Sequence, residues 1–128
     1  MTAKHLFVRD AEGSFVPAED AAVLEAAKNY LNRRVHRVNA LTSPRVVRDF
    51  LAVTLGDRDC EYFCLVLLDN RHRVIDYVEL FRGTIDGASV HPREVVKTAL
   101  AKNAAAVILV HNHPSGVGEP STADEIIT

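Results

Sequence analysis

Two imidazoles, a hydroxyl and a carboxylate fall within HNHPSGVGEPSTADEI, residues 111–126. One residue separates His111 from His113, seven more precede Ser121, and two more precede Asp124. Two histidines and an aspartate are three protein ligands, the number a catalytic zinc keeps when its fourth position is open to water. The competing reading is purely structural. Ser121-x-x-Asp124 also has the form of a capping box at a helix start, which needs no chemistry. The two readings are compatible, because capping would fix Asp124 without consuming both of its oxygens.

The elements around these residues must bring them together. The apolar run AAAVILV (104–110) leads straight into His111 and predicts a short buried strand. Side chains at i and i+2 share one face of a strand, so His111 and His113 are set to converge on one ion. Pro114 ends the strand, Gly116 and Gly118 let the chain turn back, and Ser121 starts a final helix carrying Asp124 in its first turn.

Upstream, residues 5–9 and 14–16 predict a small hairpin around Glu12-Gly13, and Pro17 is expected to open a helix running through Leu31. RRVHRVNAL has no clear period and reads as a connector. Ser43-Pro44 predicts an N-cap and first helical residue, with the helix stopping at Gly56. The runs 61–69 and 73–81, joined by Asp69-Asn70-Arg71-His72, predict an antiparallel hairpin. A further helix follows from Pro92 and closes at Asn103. The order predicts an α/β (α+β) domain, a mixed β-sheet flanked by helices.

A chain of 128 residues is long enough for one real core. Apolar residues at 48% and charged residues at 25% are ordinary for a globular protein. No apolar run reaches the length of a membrane span and the start has no signal-peptide core, so no membrane partner and a cytoplasmic location are expected. Cys60 and Cys64 have no second pair and read as small buried apolar residues rather than ligands. The net charge of −2 argues against a globally basic nucleic-acid binder. Locally, the stretch 28–48 holds Lys28, Arg33, Arg34, Arg37, Arg45 and Arg48 and no acid. It is either a solvated face or a weak contact surface for nucleic acid or an acidic partner.

The spacing His111-x-His113, Ser121, Asp124 resembles the JAMM (MPN-plus) metalloprotease motif position by position. LFRGT (80–84), VHPREVVKTAL (90–100) and HNHPSG (111–116) resemble its RadC-like branch. The similarity runs from about Leu41 to the end, which divides the chain into an N-terminal extension, 1–40, and a RadC-like domain, 41–128. The resemblance implies a cytidine-deaminase-like JAMM fold and a zinc site held by His111, His113 and Asp124. It also implies a hydroxyl at Ser121 that hydrogen-bonds the oxyanion formed at a scissile carbonyl. Such domains continue past the last residues here, so a C-terminal truncation is expected. Longer relatives carry a helix-hairpin-helix region, for which 1–40 is too short. The branch has an association with DNA repair.

A zinc hydrolase also needs a general base within reach of the attacking water. Glu61, at the start of EYFCLVLL, matches the family pattern better than Glu79 inside YVELF, and both stay open. Glu94 and Glu119 are weaker candidates. The sequence therefore points to a zinc-dependent hydrolase acting on a protein or peptide substrate, with homo-oligomerisation left open. The second reading is a non-catalytic DNA- or protein-binding module in which the metal is a structural staple.

Overall fold

The computed structural model describes residues 2–83 and 90–116, with side chains from His5 onward. An N-terminal hairpin pairs β1 (Thr2–Arg9) with β2 (Phe15–Glu19). Helix α1 (Asp20–Val35) and helix α2 (Pro44–Leu55) follow, then β3 (Tyr62–Leu68), β4 (Val74–Arg82), α3 (Pro92–Ala101) and β5 (Ala106–His111). The second sheet has the order β4-β3-β5, and both pairings are antiparallel. The result is an α+β domain.

β3 is the centre of the molecule, and its composition explains why. YFCLVLL is apolar on every position because both of its faces are covered. Val66 and Leu68 pack with Val35, Val47 and Phe50 from the α1/α2 side. Phe63, Leu65 and Leu67 form the opposite layer, against Val90, Val95 and Val107. A side chain such as Leu65, fully buried, contributes roughly 1.5–3 kcal/mol by leaving water.

Two sequence expectations are corrected. Pro17 does not open α1; it lies in β2, paired with Phe7, and the helix begins three residues later at Asp20. In a two-stranded sheet each strand has an outer edge, where a missing N–H costs no ladder bond. The presumed connector at 33–35 is helical, because Val35 is fully buried and Leu31 lies one turn before it against the same core. Ser43 does occupy the N-cap position of α2, but it makes no side-chain capping bond.

α3 ends where Asn103 suggests. Asn103 takes a left-handed φ of 56°, its N–H donates to the Leu100 carbonyl, and Ala104 N–H reaches the Ala99 carbonyl. That pair of bonds is a Schellman closure, and it turns the chain into β5. No helix among the described residues is long and apolar enough to cross a membrane.

Candidate metal centre and its cleft

His111 is the last residue of β5 and faces Phe63 across the ladder. Glu61 stands two residues before Phe63, and His113 two residues after His111. The antiparallel register therefore carries Glu61 and His113 toward each other beyond the last pair. Pro114 has no N–H to extend the strand and biases His113 toward extended backbone. Gly116 N–H then donates to the His113 carbonyl at 2.9 Å, and Gly116 takes a left-handed φ of 78°. The turn His113-Pro114-Ser115-Gly116 is thus closed by its own backbone.

The two imidazoles lie together, with ring centroids 4.7 Å apart and planes at 70°. They border an open cleft of about 480 Å³ that also touches Leu51 and Leu55 of α2, Arg58 and Val110. Ser121 and Asp124, the sequence-predicted oxyanion donor and third ligand, lie outside the described residues, as does Glu119. Among the described residues no cluster of three or more His, Cys, Asp or Glu side chains is placed to hold a metal ion. The donors that are described, two adjacent imidazoles at a cleft, fit two of the three zinc positions.

Glu61 is not a solvated strand-entry residue. It is 6% exposed and is the buried charged side chain among the described residues. It does not line the cleft. Its backbone is fixed from both sides. The Glu61 carbonyl accepts from Gly83 N–H at 2.8 Å. On the opposite side, Tyr62 N–H donates to Asn112 Oδ1 at 2.7 Å, and Asn112 Nδ2 donates to the Cys60 carbonyl at 3.1 Å. The residue between the two histidines therefore grips the chain on either side of Glu61. Nothing local in the sequence marks Asn112 for this role, because its partners lie some fifty positions upstream.

Glu79, the other candidate base, is committed elsewhere. It pairs with Arg58 and accepts from Tyr77 Oη at 3.4 Å. Burial disfavours the Arg58 charge, but Glu79, Tyr62 and Tyr77 outweigh it and hold the guanidinium pKa up. Arg58 also stacks on the Tyr62 ring at 4.8 Å, so the cleft wall carries a fixed, well-positioned cation. Cys64 accepts from Tyr77 Oη at 3.2 Å, and burial pushes its thiol pKa up, which leaves it an unreactive neutral group. Cys60 accepts from Arg82 Nε at 3.1 Å. Both cysteines are buried and free.

His91 and Glu94 also find plain roles. His91 is the N-cap residue of α3, its ring packs edge-on against Phe81 at 5.6 Å, and its carbonyl accepts from Glu94 N–H. In the basic stretch, Lys28 pairs with Asp57 at 3.3 Å, an acid the linear sequence places far from it. Arg33 and Arg34 occupy the last turn of α1, where they complement the helix dipole.

A central antiparallel sheet between helices, ending in a His-Asn-His turn beside a buried glutamate, defines a domain of the JAB type. Residues 41–128 match the RadC-like JAB domain, and the chain belongs to that family. It is 61% identical over 116 residues to a UPF0758 protein of Thioalkalivibrio sulfidiphilus, a match covering 91% of this chain and 52% of that one. A UPF0758 protein of Aeromonas hydrophila is 60% identical over 111 residues, covering 87% of this chain and 50% of the relative. A UPF0758 protein of Halorhodospira halophila is 56% identical over the same length. The chain spans about half the length of these curated relatives.

Proposed function

We propose that this domain is a zinc-dependent hydrolase of amide bonds, acting on a peptide or isopeptide substrate. The observation that carries this reading is the placement of Glu61, a carboxylate buried at a strand end and tied through Asn112 to the two-histidine turn. Burying a carboxylate is costly, and the hydrophobic core has no use for one here. Membership of the JAB family supports the same reading.

In this account His111, His113 and Asp124 hold the zinc, which when bound supplies Lewis acidity and lowers the pKa of water toward neutrality. Glu61 takes a proton from the attacking water and returns it to the leaving amine. The Ser121 hydroxyl hydrogen-bonds the oxygen that becomes negative at the scissile carbonyl. The open cleft lined by Leu51, Leu55, Arg58 and the two histidines is where such a substrate would lie. Imidazole ligands favour zinc over magnesium or manganese, and so favour amide hydrolysis over a carboxylate-rich nuclease site. We further propose that the basic stretch 28–48 makes at most a weak nucleic-acid contact, since Lys28 is already paired.

The test is metal analysis of the purified protein together with a screen of peptide and isopeptide substrates. About one zinc per chain and cleavage abolished by chelation are expected. Binding of zinc without cleavage of any substrate would favour the alternative, a non-catalytic module with a structural metal.

A further inference from the structure

We propose that Asn112 is a positioning residue for Glu61, a role that rests on the hydrolase reading above. Its carboxamide acts as a one-residue extension of the sheet. In an extended chain the carbonyl of residue i−1 and the N–H of residue i+1 point to the same side, while residue i's own backbone groups point to the other. A neighbouring parallel strand satisfies such a pair with one N–H and one C=O. Asn112 does this with a side chain: Nδ2 donates to the Cys60 carbonyl at 3.1 Å and Oδ1 accepts from Tyr62 N–H at 2.7 Å. The Glu61 carbonyl faces away and accepts from Gly83 N–H at 2.8 Å. Glu61 is thereby held between β4's end and the metal turn, and the direction of its Cα–Cβ bond is set.

The placement has a reason. β5 leaves the ladder after His111, so Cys60 and Tyr62 have no backbone partner on that side. An asparagine at this position restores both bonds and, in doing so, couples base and ligands. Any shift of the His111–His113 turn is transmitted to Glu61 as one piece. Serine or alanine could not span the gap with both a donor and an acceptor.

The experiment uses Asn112→Ala and, as a folding safeguard, Asn112→Ser, against wild type. Three readouts are taken: zinc content, amide hydrogen exchange at Tyr62, and kcat and KM on the best peptide from the screen. In both variants Tyr62 is expected to lose protection selectively while Leu65 and Val66 keep theirs, with zinc content unchanged. The expected kinetic signature is a fall in kcat of about 100-fold with KM within about twofold, the scale of a small misplacement of a reacting group. Unchanged kcat in a zinc-loaded variant that has lost Tyr62 protection would overturn the role, as would protection lost across the whole sheet with kcat tracking the folded fraction. A wild type that neither binds zinc nor cleaves any peptide overturns the hydrolase reading, and the positioning role falls with it. Tyr62 exchange then reports on the clamp alone.

Discussion

The two ends of β3 solve the same problem in opposite ways. At the Leu68 end the chain is closed by the turn 69–72, and polar groups there are satisfied by neighbours in sequence or by solvent-facing partners. Asp69 Oδ1 accepts from the N–H groups of Arg71 and Arg73 at 2.8 and 2.9 Å, and Oδ2 accepts from Arg73 Nε at 2.7 Å. Asn39 staples the α1–α2 connection to that turn by donating to the Arg71 carbonyl at 3.0 Å. At the Tyr62 end the Asn112 side chain stands in for a strand, and what it secures is the backbone on either side of a buried carboxylate, next to two histidines that border the cleft. The first end is polar because it is wet. The second is polar where burial makes polarity costly, and that is where chemistry is expected.

Substitutions at the two ends should therefore separate. The largest effect is expected at the cleft end. His113→Ala should take the zinc content from about one equivalent to almost none, since two protein ligands hold zinc poorly; metal analysis checks this. Next comes the middle of the strand, where Leu65→Ala should destabilise the fold by about 2–5 kcal/mol in denaturant titration. That loss should lower stability without a specific effect on turnover per folded molecule. At the closed end Asp69→Ala should lower the melting temperature and leave zinc content and turnover per folded molecule unchanged.

The smallest expected effect is one of pH at the same residue. The backbone N–H of Arg73, with further bonds from Arg71 and the Arg73 side chain, holds the Asp69 carboxyl below the ordinary carboxylate range. A depressed folded-state pKa stabilises the fold fully above the unfolded-state value, and that contribution is lost as pH falls through the folded value. Acid titration of stability should thus be shallower in Asp69→Ala than in wild type at the acidic limit. A steeper slope in the variant would show that the turn carboxylate is not the group responsible.

The sequence is legible wherever a local signal matches the tertiary outcome. Ser43-Pro44 marks the start of α2, Asn103 its counterpart at the end of α3, and the all-apolar run at 62–68 announces a strand covered on both faces. Pro17 misleads because its helix-opening preference is overridden by an edge-strand position that costs no hydrogen bond. The end of α1 is hidden because only packing of Val35, not its β-branched propensity, keeps the last turn helical. At the site, residue types and spacing single out His111, His113 and Asp124, while Glu61 emerges only through the family resemblance. The structure places the two imidazoles together and Glu61 buried at the facing end of β3. Asn112 is invisible to such reasoning, because its two partners are fixed by the β3–β5 register rather than by any local pattern.

The proposed role of Glu61 is to move protons at a zinc held by His111, His113 and Asp124. The most direct measurement is zinc content and turnover, taken together, in Glu61→Gln. Zinc equal to wild type, an unchanged melting temperature, and turnover reduced by about two to four orders of magnitude are expected. Near-normal turnover with zinc retained would contradict this role.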